Sequence, residues 1–194
     1  VIFADEDLLP LLEPLWEKLP GVELLVICRH GEGGESSFKN QIDYEDFIAN
    51  QPTEYDWPQI DETSPMGLCY TSGTTGKPKG VMYTNRSTYL HTLTECLTDS
   101  IGLSSLDSIL GIVPMFHAMG WGLPFCASML GCKQVMCHRF MVPDAFLKLM
   151  HEEEVTVSTG VPTIWQGVRA ALEAEPEKYN LSKQTLAYYG VGHR

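Results

Sequence analysis

The chain has 194 residues, of which 44% are hydrophobic, and its 25 Asp and Glu residues outnumber its 13 Lys and Arg residues. This length and composition predict one globular unit with a real core. The formal net charge of −12 argues against a nucleic-acid partner, because neutralising phosphates requires a surplus of cations.

The first third of the sequence predicts a strand, a helix and a second strand joined as a parallel crossover. Apolar runs at residues 1–5 and 22–28 are typical of buried strands. Residues 30–40 then predict a surface loop, residues 44–49 a short helix, and residues 51–65 an extended linker that is not a domain boundary. The helix of the crossover is predicted from five leucines at helical spacing: Leu8, Leu11, Leu12, Leu15 and Leu19.

The remaining sequence continues the alternation of strands and helices. Asn85 is predicted to cap a helix whose inward positions are Tyr89, Leu93 and Cys96 or Leu97. The alternation predicts an α/β fold with layered sheets flanked by helices. The other predicted elements are strands at residues 67–70, 80–84, 109–113 and 155–159, and helices at residues 121–130, from 143, and at 164–173.

Residues 108–132 carry no formally charged side chain and are numerous enough to cross a bilayer. Pro114 and Pro124, with Gly120 and Gly122 between them, argue against a span, because they would break a lone helix in lipid. The segment therefore predicts a buried strand, a turn and a core helix, and no transmembrane span.

The six cysteines contain no Cys-x-x-Cys pair. They predict reduced packing thiols and a cytoplasmic protein. Cys132, Cys137 and His138 are close in sequence, but no further ligands follow at metal-binding spacing, so packing is favoured over a metal site.

Acidic residues are concentrated near the start of the chain. Residues 1–62 hold 15 acids and three bases, whereas residues 63–94 hold no Asp or Glu. That stretch contains Lys77, Lys79 and Arg86. A local cationic segment in an acidic chain indicates an anionic ligand held at short range.

Residues 70–80 read Tyr-Thr-Ser-Gly-Thr-Thr-Gly-Lys-Pro-Lys-Gly. Glycines allow backbone N–H groups to face an oxyanion, hydroxyls donate further hydrogen bonds, and lysines supply charge, so the pattern indicates a phosphate. A Walker loop is excluded, since Pro78 follows Lys77 and a strand follows Gly80 where that motif opens a helix. The structural alternative is a flexible Gly/Thr hairpin.

The string from Thr71 to Gly80 resembles the phosphate loop of the adenylate-forming superfamily, which comprises acyl-CoA synthetases, luciferases and peptide-synthetase adenylation domains. Val-Pro-Met-Phe-His-Ala at residues 113–118 and Thr-Gly-Val-Pro-Thr at 159–163 continue the resemblance. Pro-Met-Phe-His followed by Trp121 looks most like medium- and long-chain fatty acyl-CoA ligases.

The resemblance implies ATP-dependent activation of a carboxylic acid, most readily a fatty acid, through an acyl-adenylate, followed by transfer to coenzyme A. Lys79 then offsets charge on the departing pyrophosphate, and a threonine hydroxyl, assigned to Thr74, helps hold Mg²⁺. The loop residues implied to hold the phosphates are Thr71, Ser72, Gly73, Thr74, Thr75, Gly76 and Lys79.

The resemblance also implies roles around the organic acid. His117 orients the acyl-adenylate without acting as a base, because a carboxylate is already a nucleophile. Val161, Pro162 and Thr163 line the substrate site. Trp121 gates an acyl tunnel that also involves Met115, Met119, Phe125 and Met129, whose alternative is plain core packing.

The family's Tyr-Gly-x-Thr-Glu motif and ribose-binding Asp have no counterpart, and Tyr-Gly-Val-Gly-His at residues 189–193 matches its adenine loop imperfectly. The resemblance implies that residues 1–194 are part of the large N-terminal AMP-binding domain, without the C-terminal domain that carries the catalytic lysine. We therefore expect little turnover from these residues alone. The alternatives are a non-catalytic nucleotide- or acyl-binding module and an aryl- or luciferin-type adenylating enzyme; a homodimer is left open. A hydrolase is disfavoured, since no Gly-x-Ser-x-Gly occurs.

Overall fold

The computed structural model describes residues 1–31, 35–71, 76–137, 141–184 and, for the backbone, 186–188. They form two compact units, an N-terminal unit of residues Val1–Gln59 and a C-terminal unit of residues Ile60–Arg194. The structure thus divides the globular unit that the composition predicts into two compact units. The boundary between the units, after Gln59, falls inside the segment at 51–65, which the sequence predicts as a linker and not as a domain boundary.

The N-terminal unit is a parallel three-stranded sheet, as the crossover pattern predicts. Its strands are β1 (Ile2–Asp5), β2 (Leu25–Cys28) and β3 (Gln41–Asp43), in that order, and β3 leads into α2 (Tyr44–Ile48). Strand β3 is missing from the prediction. A small core packs on the sheet and includes the buried residues Ala4, Leu9, Leu25 and Ile27.

The predicted first helix is broken into three short pieces: a 3-10 turn at Glu6–Leu8, α1 (Leu9–Leu12) and a 3-10 turn at Glu13–Lys18. Pro10 and Pro14 each lie in the first turn of a new piece. The missing proline N–H groups interrupt the hydrogen-bond ladder of a continuous helix. Leu9 is fully buried, whereas Leu8 and Leu11 are exposed.

The C-terminal unit contains an antiparallel hairpin and a parallel sheet. The hairpin pairs β4 (Pro65–Thr71) with β5 (Lys79–Thr84) and leads into α3 (Asn85–Cys96). The parallel sheet has the order β7 (Lys133–Met136), β6 (Ser108–Gly111), β8 (Val157–Thr159), β9 (Leu186–Tyr188). Its helical elements are α4 (Ala118–Trp121), α5 (Leu123–Leu130), α6 (Pro143–Glu152) and α7 (Pro162–Ala174).

Helices cover both faces of the parallel sheet. Ile109 packs in one buried cluster with Leu123 of α5, whereas Leu110, its neighbour in β6, packs in another with Phe146 of α6 and Val168 of α7. Alternate residues of a strand point to opposite faces, which explains why β6 is apolar at successive positions. The predicted α/β fold with layered sheets flanked by helices is confirmed.

The predicted cap of α3 is wrong, and its predicted inward face is confirmed only at Cys96, which packs against a buried cluster. Thr84 is the N-cap: its Oγ1 accepts from Ser87 N at 3.1 Å, and Ser87 Oγ accepts from Thr84 N at 3.0 Å. Tyr89 and Leu93 are exposed, and Thr92 and Glu95 are buried in their place. The helix therefore buries a polar edge, which a search for apolar periodicity overlooks.

Among the described residues, every helix is too short or too polar to cross a bilayer.

Candidate functional site

The predicted phosphate loop connects the two strands of the hairpin. Thr71 and Lys79 are paired across β4 and β5, so they stand at the two bases of the loop. Gly76 has a φ of +79°, a left-handed conformation that favours glycine. Ser72, Gly73, Thr74 and Thr75 lie outside the described residues. The order of strand, loop and strand agrees with the prediction, and among the described residues no helix begins at the loop.

Only one of the three cations in the acid-free stretch has a carboxylate partner in the described part of the chain. Arg86 forms an ion pair with Glu62. Lys77 and Lys79 are exposed, and no described Asp or Glu pairs with either ammonium group. Their charge remains available to an anionic ligand, which the loop composition also predicts.

A left-handed turn follows the predicted site residue His117. Residues 118–122 all have positive φ: 45° at Ala118, 48° at Met119, 62° at Gly120, 57° at Trp121 and 79° at Gly122. Each non-glycine residue in this region costs about 1 kcal/mol or more. The turn was not predicted, since Ala, Met and Trp carry no local signal for this conformation.

Close packing holds the turn in place. A methyl group at Gly67 of β4 would lie only 2.4 Å from Met119 Sδ, so Met119 rests directly on the hairpin backbone. His117 itself is exposed, its backbone N–H donates to the Pro114 carbonyl at 3.0 Å, and its imidazole has no hydrogen-bond partner among the described side chains. Its ring is free to meet a ligand, as the prediction requires.

Trp121 lines a cavity of about 530 Å³, which we call the Trp121 cavity. Helix α3, the left-handed turn and the end of β8 supply its walls. Tyr83 of β5 also lines it and lies four residues from Lys79, about 13 Å along a strand. The wall residues used below are Thr88, His91, Glu95, Met119, Trp121, Gly122, Phe125 and Thr159.

A buried carboxyl group and an imidazole face each other in this cavity. Glu95 is 5% exposed, and His91 Nε2 lies 3.2 Å from Glu95 Oε1 and 3.3 Å from the Trp121 carbonyl oxygen. Burial raises the pKa of Glu95 to about 7, and His91 partly offsets that effect. The Glu95 carboxyl is therefore partly protonated near neutral pH.

Gly122 allows the chain to pass close to this pair. A methyl group at Gly122 would lie 2.7 Å from His91 Nε2 and 2.8 Å from Glu95 Oε2. The residue also has positive φ. Any side chain there would displace the His91–Glu95 pair.

Three oxygen atoms of the cavity residues lack a hydrogen-bond partner among the described residues. They are Thr88 Oγ1, Glu95 Oε2 and Thr159 Oγ1, all shielded from solvent. Leaving such an atom unpaired costs about 1–3 kcal/mol. The cavity is therefore built from polar groups that the described part of the protein does not itself satisfy.

A second cavity, of about 400 Å³, has a predominantly apolar lining. Met115 and Phe116 contribute to it and are 59% and 80% exposed. Met129 is likewise 42% exposed, so neither Met115 nor Met129 is buried by the described residues. Met119, Trp121 and Phe125 line the Trp121 cavity.

The other predicted residues fall in separate places. Val161, Pro162 and Thr163 are exposed at the start of α7 and line neither cavity, whereas Thr159, two residues earlier, lines the Trp121 cavity. His138 and the segment 189–193 lie outside the described residues. Within the described ranges, no three His, Cys, Asp or Glu side chains are grouped to hold a metal, and all six cysteines are free thiols.

Sequence reasoning missed Thr88, His91, Glu95, Gly122 and Thr159. A signal for three of them exists, since Thr88, His91 and Glu95 are spaced by three and four residues and so share one face of a helix. The apolar residues of α3 hide this polar pattern in the sequence, because apolar residues are expected to face the core although here they are exposed.

The chain is similar to known enzymes over almost its whole length. The model of the family described as AMP-binding enzyme matches residues 1–192. A medium-chain-fatty-acid–CoA ligase of Ectopseudomonas oleovorans is 41% identical over 193 residues, which are 99% of this chain and 35% of that protein. A 3-methylmercaptopropionyl-CoA ligase of Ruegeria pomeroyi is 39% identical over 176 residues, 90% of this chain and 33% of that protein.

A crystal structure of a long-chain-fatty-acid–CoA ligase from Archaeoglobus fulgidus superposes with a TM-score of 0.76 and 25% identity. The match covers 95% of this chain and 35% of the other. The chain thus spans about a third of the length of the relatives it matches.

Proposed function

The chain belongs to the family of AMP-binding enzymes, and from this premise we propose that it contributes the nucleotide loop and part of the acid site of an acyl-CoA ligase. The activity is ATP-dependent activation of a carboxylic acid and its transfer to coenzyme A. The observation that carries the proposal is the hairpin loop, where Lys77 and Lys79 have no described carboxylate partner in a stretch free of Asp and Glu.

In the first step the protein acts mainly by positioning the reactants and by electrostatic stabilisation. A carboxylate oxygen of the acid attacks the α-phosphorus of ATP, the bond from that phosphorus to the bridging oxygen breaks, and pyrophosphate leaves with the bond electrons. Lys79 stabilises the negative charge on the leaving group. The hydroxyls and amides of residues 71–76 bind the β- and γ-phosphates.

The loop composition fits a magnesium-bound triphosphate. Mg²⁺ favours oxygen ligands and is bound largely through substrate phosphates, with few protein groups. Thr74 is the proposed hydroxyl ligand, and Mg²⁺ supplies charge neutralisation at the phosphates when it is bound. Lys77 and Lys79 add the cations that a triphosphate requires.

His117 is proposed to position the carboxylate and the α-phosphate. It directly precedes the left-handed turn, and its imidazole is exposed without a described partner. His117 does not itself line the Trp121 cavity, but it precedes the turn whose residues do, and the acid is proposed to extend from His117 into that cavity. In the second step the thiol of coenzyme A attacks the acyl carbon and AMP leaves.

ATP–pyrophosphate exchange tests the proposal in a full-length ligase carrying this sequence. The wild type should catalyse exchange with at least one carboxylic acid from a panel of alkyl and aryl acids. Lys79→Ala should lower the exchange rate about a hundredfold. Lys148→Ala is the matched control, because that lysine is exposed on α6 and pairs with Glu152. Exchange by Lys79→Ala at the control rate would contradict the role.

Acyl specificity gives an independent test. Trp121→Ala should shift chain-length preference while the KM for ATP stays near the wild-type value, since Trp121 lines the cavity and not the loop. An unchanged profile across acid lengths would remove Trp121 from the acid site.

A non-catalytic binding module predicts ATP binding with no exchange for any acid. We also propose a cytoplasmic enzyme, which the free thiols support. The homodimer stays a prediction.

A further inference from the structure

The Trp121 cavity differs chemically from a pocket for a plain alkyl chain. An alkyl pocket is best lined by apolar side chains, and valine has nearly the shape of threonine. Here Thr159 is fully buried at the end of β8, and its Oγ1 has no described partner. Thr88 Oγ1 and Glu95 Oε2 add two more unpaired oxygens from α3.

These three oxygens determine which hydrogen-bond donors and acceptors a complementary ligand group must have. A threonine hydroxyl both donates and accepts, whereas a carboxylate only accepts. A hydroxyl on the ligand can donate to Glu95 Oε2 and accept from a threonine hydroxyl. An alkyl chain would leave all three oxygens unpaired, at a cost in every complex that forms.

Building on the proposed function, we propose that the Trp121 cavity selects carboxylic acids that carry a hydroxyl group on the chain, with Glu95 Oε2 accepting from that hydroxyl and Thr159 Oγ1 donating to it. His91 Nε2 contacts Glu95 at Oε1, and Oε2 has no hydrogen-bond partner in the described residues. Gly122 has no side chain, so the backbone lies close to the His91–Glu95 pair at this point.

A hydroxyl fits better than an ammonium group. An ammonium group would require a fully ionised Glu95 in a site where burial favours the neutral carboxyl. It would also enter beside His91, which competes for the same carboxyl group. A hydroxyl pairs with either protonation state of Glu95.

The test compares pairs of acids in ATP–pyrophosphate exchange by the full-length ligase. Each pair has the same chain length, one member unsubstituted and the other with a hydroxyl at a mid-chain or terminal carbon. The wild type should favour at least one hydroxy acid by about tenfold or more in kcat/KM, because the site loses its pairing with the unsubstituted acid. ω-Amino acids form a third arm, and a preference for them over hydroxy acids would overturn the assignment.

Thr159→Val and Glu95→Leu should each reduce the preference toward unity, chiefly through a higher KM for the hydroxy acid. Thr92→Val is the matched control, since Thr92 is also buried on α3 but its Oγ1 already donates to the Thr88 carbonyl at 2.8 Å. The ratio is measured within each variant, so partial loss of folded protein cancels. If Glu95→Leu does not fold, the nearly isosteric Thr159→Val still decides the question.

The outcomes separate this inference from the proposed function. Exchange with unsubstituted and hydroxy acids at equal kcat/KM, or a preference that survives Thr159→Val, would overturn the hydroxyl site and leave the ligase intact. No exchange with any acid would overturn the ligase itself.

Discussion

Glu6 and Glu95 are buried carboxyl groups, one in each unit of the chain, and are 2% and 5% exposed. Glu6 interacts with groups of its own unit: the His30 backbone N–H donates to its Oε1 at 3.0 Å. Its Oε2 has no hydrogen-bond partner in the described residues, but the Arg29 Nη1 cation lies 3.8 Å from it. Glu95 has His91 beside Oε1, whereas its Oε2 has no partner in the described residues.

The comparison separates two uses of a buried charge. Glu6 ties together the ends of β1 and β2, where a backbone donor and a cation stabilise it. Glu95 lines a cavity, forms no ion pair with a described Lys or Arg, and has a raised pKa. Perturbed carboxyl groups in cavities are characteristic of functional sites. We therefore interpret Glu6 as structural and Glu95 as a group reserved for a ligand.

The largest effect is expected from closing the space beside Glu95. Gly122→Ala should lower the free energy of unfolding by about 4 kcal/mol, because the methyl group would collide with His91 and Glu95 at a positive φ. Gly131→Ala is the matched control: its φ is +73°, but nothing lies within 4 Å of the added carbon. It should cost only about 1 kcal/mol. Equal losses in urea unfolding of the full-length protein would show that Gly122 is required for its φ alone.

The next largest effect is a pH dependence of the free energy of unfolding that Glu95 causes. Its pKa is about 7 in the folded protein against 4.5 unfolded, so the folded state holds a proton that the unfolded state has lost between these values. Stability therefore falls as pH rises through this window, by at most about 3 kcal/mol. The titratable groups that interact with Glu95 are His91 and the Cys126 thiol.

The measurement is the difference in unfolding free energy between wild type and Glu95→Gln across that pH range. The Glu95→Gln side chain stays neutral at every pH. The free energy of unfolding of the wild type should therefore fall relative to that of the variant as pH rises. A difference that is flat from below pH 4.5 to above pH 7 would contradict the raised pKa.

A smaller effect should distinguish the structural carboxylate. Glu6→Ala removes the acceptor of the His30 N–H and should cost about 2 kcal/mol, with no change in acid preference. Thr159→Val should show the opposite pattern, with little loss of stability and an altered preference. If Glu6→Ala changed acid preference as strongly as Thr159→Val, the two carboxyl groups could not be assigned separate roles.

Sequence reasoning succeeded where one local pattern determines one structure. The alternating elements, the parallel crossover and the phosphate loop between two strands follow from apolar runs and glycine placement. It failed where tertiary contacts override local preference. The left-handed turn at residues 118–122 is held by packing on Gly67 and His91, which no local window contains.

Helix α3 shows the same limit. Its apolar residues Tyr89 and Leu93 point outward, and its polar residues face a cavity, so binary patterning assigns the wrong face. The polar periodicity of Thr88, His91 and Glu95 was present in the sequence. It acquires meaning only when Thr159 from β8 and the turn at Trp121 complete the wall.

The most direct test is an NMR titration of the Glu95 side-chain carboxyl carbon in the full-length protein, with Glu95→Gln used for assignment. Without a ligand, the account predicts a pKa of about 7. A bound hydroxyacyl-adenylate analogue that donates to Oε2 should lower this pKa, whereas its unsubstituted counterpart should not. A ligand-free pKa near 4.5 that neither analogue changes would contradict the claim that Glu95 is left unpaired for a substrate hydroxyl.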